Sequence, residues 1–231
     1  MQTVLITGAN RGLGLEFCRQ YAEAGWRVTA ACRNPSNATQ LELLSERYQN
    51  VRIESLDVAN FSEIDALSTR LANESIDILL NNAGIYPDNQ EHSFGQLDYP
   101  AWLEAFTINS IAPVKLAEAL LPHIQRSQKK LIVSISSLMG SMADNHSGGS
   151  LLYRSSKASL NAAMKSLSID LFAQSIGVLI LHPGWVLTDM GGKNALIDVK
   201  ESVTGMRSQI ENFTLAQSGS FLKYDGSTLP W

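Results

Sequence analysis

Thr3-Val4-Leu5-Ile6-Thr7-Gly8-Ala9-Asn10-Arg11-Gly12-Leu13-Gly14 is the stretch that decides the fold. A short aliphatic run feeds directly into three glycines, and helical spacing of apolar residues begins at Leu13. Glycine admits backbone angles closed to other residues and lets the chain approach a ligand closely. The helix start beyond it offers unpaired N–H groups and the positive end of its dipole, a setting suited to a pyrophosphate. Strand, glycine loop and helix in this order predict a dinucleotide site made by Gly8, Asn10, Arg11, Gly12, Leu13 and Gly14. The competing reading is a tight strand-to-helix turn that binds nothing.

Outward from this unit the same rhythm repeats. Runs rich in β-branched and aliphatic residues at 3–7, 27–32, 51–56, 76–80, 131–135, 178–181 and 221–224 read as seven strands. Most are continuously apolar, as a sheet covered on both faces requires. Helical spacing fills 13–24, 39–48, 62–72, 99–124, 152–174 and 201–216. The βα alternation predicts a three-layer αβα sandwich around a doubly wound, seven-stranded parallel sheet of Rossmann-like type. No linker or repeat divides residues 1–231, so one domain is expected. The irregular segments 85–98, 138–150 and 188–200 each follow a strand and therefore gather at the carboxyl edge, where such sheets bind ligands.

Composition narrows the function. The formal net charge is −4 and the isoelectric point about 5.6, so neither nucleic acid nor an anionic membrane surface finds a concentrated cationic partner. A small molecule is the expected partner. Val4-Leu5-Ile6 is too short for a signal peptide, and no run reaches the roughly 18 apolar residues of a membrane span. Cys18 and Cys32 lack zinc-ligand spacing, as do His92, His123 and His182, so no metal is assigned. The cytoplasm is the expected compartment.

The glycine spacing is Gly-x-x-x-Gly-x-Gly, not the Gly-x-Gly-x-x-Gly of many dinucleotide-binding proteins. Arg11 lies in the loop, and Arg33 follows the second strand where NAD-binding sequences carry a carboxylate. A guanidinium there matches the 2′-phosphate of NADP and has no corresponding anion on NAD. NADP(H) is the expected cofactor, against the alternative of two solvated arginines.

Tyr153 and Lys157 are one helical turn apart and share a helix face. An ammonium about 4 Å from a phenol is worth on the order of 4 kcal/mol at an effective dielectric near 20, before desolvation. The pair is therefore expected to lower the Tyr153 pKa toward neutrality, fitting it for proton transfer. Ser136-Ser137, ending the fifth strand, offers hydroxyls to a substrate oxygen and to the Tyr153 phenol; neighbouring residues face opposite ways, so only one of the two serves easily.

The glycine loop, Asn81-Asn82-Ala83-Gly84, Asn109, Ser137, Tyr153-x-x-x-Lys157 and Pro183-Gly184 together resemble the single-domain short-chain dehydrogenases/reductases. The likeness runs nearly the whole chain. It implies NADPH-dependent reduction of a carbonyl, with Tyr153 as acid/base, Lys157 as its modulator and ribose ligand, and Ser137 as carbonyl-polarising donor. Asn109 is implied to hold a water that links Lys157 to solvent. Asp57 and Val58 are implied at the adenine, Asn82, Ala83 and Gly84 beneath the adenosine, and Pro183, Gly184, Val186 and Thr188 along the nicotinamide. A homodimer or homotetramer is implied as well.

Leu181-His182-Pro183-Gly184-Trp185-Val186, Thr188-Asp189-Met190-Gly191-Gly192 and Tyr224-Asp225-Gly226 are similar to the subgroup of sniffer-type carbonyl reductases and C-factor-like proteins. That subgroup keeps open a signalling role with little or no turnover. The tyrosine device also occurs in NAD-dependent sugar-nucleotide epimerases, but glycine spacing and Arg33 disfavour that reading. The interval from Ser137 to Tyr153 exceeds the family's usual one, with the excess at 144–150, which leaves the substrate open among aldehydes, ketones and quinones. His146 in that excess either reaches a substrate or is simply solvated. Asn81 and Asn82 could instead cap a strand, and Asn109 could be an ordinary helix residue. Trp102, Phe106 and Ile108 are expected to pack toward the sheet; Trp185 and Met190 are either pocket wall or core. Leu160, Met164, Leu167 and Leu171 form a helical stripe read as core before interface.

Overall fold

The computed structural model describes residues 1–89 and 93–231. Its strands are β1 (Thr3–Thr7), β2 (Arg27–Cys32), β3 (Val51–Ser55), β4 (Ile78–Asn81), β5 (Leu131–Ile135), β6 (Gly177–His182) and β7 (Ser220–Lys223). They form a single sheet ordered β3-β2-β1-β4-β5-β6-β7, and every pairing is parallel. The helices are α1 (Gly12–Glu23), α2 (Thr39–Arg47), α3 (Phe61–Arg70), α4 (Tyr99–Phe106), α5 (Ala112–Ala119), α6 (Leu121–Gln125), α7 (Leu151–Asp170) and α8 (Val199–Glu211).

The period-two alternation of the strands sorts the core into two layers. Val4, Ile6, Ile78, Leu80, Leu131, Val133, Leu179 and Leu181 face α1, α2 and α8, packing on Phe17, Leu41 and Met206. Leu5, Leu79, Ile132, Val178 and Ile180 face the opposite way, against Ile64 of α3, Leu116 of α5, Ile124 of α6 and Leu160 and Met164 of α7. Burying one such side chain contributes about 1.5–3 kcal/mol, so the two layers supply the main drive for folding. The three-layer, doubly wound sheet expected from the sequence is the one found. Leu160, Met164 and Leu171 of the stripe are buried in the second layer and Leu167 packs against it, so the stripe is core.

Most boundaries move by a few residues from the sequence reading, and two of the differences coincide with a local physical feature. The helical stretch 99–124 is broken into α4, one π-helical turn over Thr107–Ile111, α5 and α6. Pro122 cannot donate a helical hydrogen bond, and the chain breaks at Leu120 (φ −97°, ψ 3°) just before it. β4 begins at Ile78, just after Asp77, whose carboxylate accepts the backbone N–H groups of Thr3 (2.8 Å), Gln128 and Lys129 (3.2 Å each). That buried anchor ties β1 to the approach of β5 at the amino edge. At the opposite edge the strand order reverses between β1 and β4, and the crevice between their carboxyl ends is where this sheet type holds ligands.

Candidate active site

The glycine loop leaves β1 and enters α1 at this crevice. A Cβ on Gly14 would stand 2.2 Å from the Gly8 carbonyl oxygen, so the loop folds back on the helix start only with glycine at 14. Gly12, at φ +53°, is left-handed, and a Cβ there would meet nothing nearer than Thr188 Cγ2 at 3.6 Å. The first turn of α1 carries no acidic residue, and Arg11 at its N-cap makes no side-chain capping bond. The N–H groups of this turn are thus presented to an anion in an open cradle, which fits a dinucleotide pyrophosphate.

Asn82 underpins the loop. Its amide donates to the Thr7 and Gly8 carbonyls (2.9 and 3.2 Å), and its N–H donates to Thr7 Oγ1 (3.1 Å). Asn81 is buried and donates to Ser134 Oγ at 3.3 Å. Ala83 and Gly84 continue along the crevice, with Gly84 beside Asn109 Oδ1 and Lys157 Nζ. Arg33 is exposed at the end of β2. Arg11 is exposed too and pairs with Asp189 at 2.5 Å across the cleft. Asp57 and buried Val58 follow β3, where the Asp57 carboxylate accepts the Ala59 N–H at 3.0 Å. Beyond β6, Pro183 accepts the Ser202 hydroxyl at 2.6 Å, Gly184 turns at φ +84°, and Val186 is buried. The Thr188 hydroxyl accepts the Gly191 N–H at 3.0 Å.

Tyr153 and Lys157 stand on the first turns of α7, both buried. Ser137 faces Tyr153, and its hydroxyl draws the phenol's pKa downward. Ser136 faces away, into a buried bond with Asn161 Oδ1 at 2.5 Å. The choice of Ser137 thus agrees with the geometry. The expected acidification of Tyr153 does not. Burial pushes its phenol up to about 12, against the downward pull of Ser137 and with a smaller upward push from Tyr86. Lys157 is turned toward the backbone instead: its Nζ donates to the Ile135 carbonyl at 2.9 Å, and burial lowers its own pKa to about 8, which leaves it mostly cationic at neutral pH. At neutral pH the phenol is therefore firmly protonated and ready to give a proton.

Asn109 sits in the π-helical turn, a device that re-aims side chains and recurs at functional sites. Its amide brackets the Ile85 peptide, accepting from the N–H and donating to the carbonyl at 2.9 Å each, and donates to Ser156 Oγ at 2.9 Å. Asn109 is therefore a brace between the segment after β4 and α7. The sequence reading missed that segment's other members. Tyr86 packs its ring on Tyr153, centroids 4.8 Å apart, and bonds Ser150 Oγ at 2.6 Å. Asp88 accepts the N–H groups of Leu152 and Tyr153. No local spacing signals a contact spanning more than sixty residues.

Trp185 and Met190 are each half exposed, which rules out the core for both; Trp185 Nε1 donates to the Gly191 carbonyl at 2.7 Å. Ile108 is buried as expected, whereas Trp102 packs on α7 through a 2.8 Å bond to Ser155 Oγ and on Phe106. His146 is exposed; His123 is buried between Ser68 Oγ and the Glu74 carbonyl. His92 lies outside the described residues. Cys18 and Cys32 are free and buried, and among the described residues no three His, Cys, Asp or Glu side chains are grouped to hold a metal. No described helix is long and apolar enough to cross a membrane.

The family profile for short chain dehydrogenase matches residues 2–196. Carbonyl reductase Sniffer of D. melanogaster has a similar structure, at TM-score 0.92 and 36% identity, with 100% of both chains covered. NADPH-bound carbonyl reductase from chicken fatty liver superimposes at TM-score 0.93 and 34% identity, over 100% of this chain and 99% of that one. C-signal of Myxococcus xanthus is 38% identical over 166 residues, 72% of this chain and 99% of that protein. On profile, sequence and fold alike, this oxidoreductase belongs to the short-chain dehydrogenase family.

Proposed function

We propose that the chain, as a single domain, is an NADP(H)-dependent carbonyl reductase in which Tyr153 is the acid. The observation that carries the proposal is the convergence of a protonated, buried Tyr153 with Ser137 and Lys157 beside the open glycine cradle. Bound NADPH supplies the hydride that reduces the carbonyl carbon. Ser137 and Tyr153 bind the carbonyl oxygen through their hydroxyls, and Tyr153 passes its proton to that oxygen as the charge develops there. The phenolate left behind is stabilised by Lys157 in its cationic form and regains a proton from solvent, closing the cycle. Arg33, with Arg11 once released from Asp189, would hold the 2′-phosphate; Asp57 and Val58 would border the adenine, and Thr188 the nicotinamide amide. Exposed Trp185 and Met190 offer an apolar wall to an aldehyde, ketone or quinone. Chicken carbonyl reductase with NADPH bound supports the cofactor assignment. Cytoplasmic residence and a homodimer or homotetramer, checked by sedimentation, belong to the same reading.

Fluorescence titration with NADPH and NADH, followed by a panel of carbonyl compounds, tests it. The reading expects NADPH-selective binding and turnover, and Tyr153→Phe is expected to bind NADPH normally while losing about a hundredfold to ten-thousandfold in kcat. Wild-type-like activity in that variant would remove Tyr153 from its role. The likeness to C-signal favours a second reading, a dinucleotide-binding signalling protein; selective binding without turnover would select it.

A further inference from the structure

The first turn of α7 is where the phenol of Tyr153 is held, yet its own N-cap fails. Ser150 is left-handed (φ 46°, ψ 46°), makes no side-chain capping bond, and its hydroxyl is engaged by Tyr86. The turn also carries no acidic residue. An α-helix begins with N–H groups that have no partner inside it, and leaving them unmet loosens the turn. Here the missing cap arrives from the far side of the crevice. Asp88 Oδ1 accepts the Leu152 N–H at 3.1 Å, and Oδ2 accepts the N–H of Tyr153 itself at 2.7 Å.

The segment that delivers Asp88 is fixed at several points. Asn109 grips both sides of the Ile85 peptide. One residue later the Tyr86 ring lies on the Tyr153 ring and its hydroxyl bonds Ser150. Two residues beyond that, the Asp88 carboxylate closes on the α7 backbone. The strap thus touches Tyr153 from two sides, at the ring and at the main chain.

We propose that Asp88 is a positioning residue for Tyr153, supplying from a distance the cap that α7 lacks. It thereby couples the segment after β4 to the orientation of the phenol. The inference rests on the reductase reading for its kinetic consequence, but the cap itself can be tested without turnover.

Three variants read against each other test it: Asp88→Ala, Asp88→Asn and Tyr86→Phe. Asp88→Ala is expected to lower kcat at least about tenfold, since roughly 1 Å of misplacement in a reacting group can cost on the order of a hundredfold. Its NADPH Kd should stay within about twofold of wild type, because the glycine cradle is not touched. Asp88→Asn keeps one acceptor oxygen but sets its amide NH2 against the other backbone N–H, so it should recover part of the loss, and Tyr86→Phe should lower kcat by less than Asp88→Ala. In parallel, amide hydrogen exchange followed residue by residue should quicken in Asp88→Ala at Leu152 and Tyr153, leaving mid-helix amides of α7 unchanged. A lower melting temperature with wild-type kcat would reduce Asp88 to a stabilising cap and overturn the proposal. So would equal losses in kcat and NADPH binding, or a failure of Asp88→Asn to rescue. If the wild-type chain turns over no carbonyl compound, the reductase reading falls alone; unchanged exchange at Leu152 and Tyr153 would then still refute the cap, and quickened exchange would sustain it.

Discussion

Lys157 Nζ donates to the Ile135 carbonyl oxygen at 2.9 Å while standing 5.8 Å from the centre of the Tyr153 ring. The lysine is thus held by the backbone end of β5, and burial governs both groups. Lysine ordinarily releases its proton at 10.5, whereas here burial lowers that to about 8. Between those two values the unfolded chain holds a proton that the folded chain has released, so stability rises with pH across that window. Relative to Lys157→Met, the cofactor-free protein should gain on the order of 3 kcal/mol from about pH 8 to about pH 10.5. Tyr153 acts with the opposite sign: its raised pKa removes stability as pH climbs from about 10 to about 12. Urea melts over the pH series for wild type, Lys157→Met and Tyr153→Phe check both slopes. Parallel curves for wild type and Lys157→Met would refute the first.

Gly12 and Gly14 are expected to respond differently to the same added methyl. In Gly14→Ala the Cβ meets the Gly8 carbonyl oxygen at 2.2 Å, so the loop must move and NADPH affinity should fall by about tenfold to a hundredfold. In Gly12→Ala there is room, and the penalty is the left-handed backbone, about 1 kcal/mol of stability. Thermal melts with fluorescence titration separate the two, and equal losses of affinity would contradict the close packing at 14.

Cofactor selectivity should rest on Arg33. Charged hydrogen bonds contribute about 1.5–3 kcal/mol, so Arg33→Ser should weaken NADPH binding by about tenfold to a hundredfold and leave NADH almost unchanged. Arg11 and Asp189 are an exposed pair, worth less than about 1 kcal/mol to the fold. Asp189→Asn should therefore barely change the melting temperature while freeing Arg11, and NADPH titration should show equal or tighter binding. A large loss of stability would show the pair to be structural.

Much of this was readable in the chain because it is local. Val4 and Ile6 against Leu5 already encode two covered faces, and the glycines at 8, 12 and 14 already encode a loop that is crowded at 8 and 14 and left-handed at 8 and 12. Helical periodicity put Tyr153 and Lys157 on one face, and the family resemblance singled out Ser137 from Ser136. The failures are those of distance and solvation. That Tyr153 is harder to ionise than ordinary tyrosine follows from how deeply α7 is packed, which a four-residue spacing does not contain. Asp77 and Asp88 look like ordinary loop carboxylates in sequence, yet each caps backbone from a remote segment. Ser150 is of a residue type that commonly caps helices, yet its left-handed backbone and its bond to Tyr86 take it out of that role.

The π-helical turn at Thr107–Ile111 holds one residue more than a regular helix needs to cover the same rise. Removing a single residue there would bring α4 and α5 into one α-helical register, kinked at Pro113, with Ala105 and Leu116 still on the core. Asn109 would swing off Ile85 and Ser156. On the reductase reading, foldability and activity would thus be genetically separable at this point. A lineage losing that one residue would keep a stable sheet and helices as an inactive scaffold, whereas a lineage keeping it retains a less regular helix whose value lies in the site it braces.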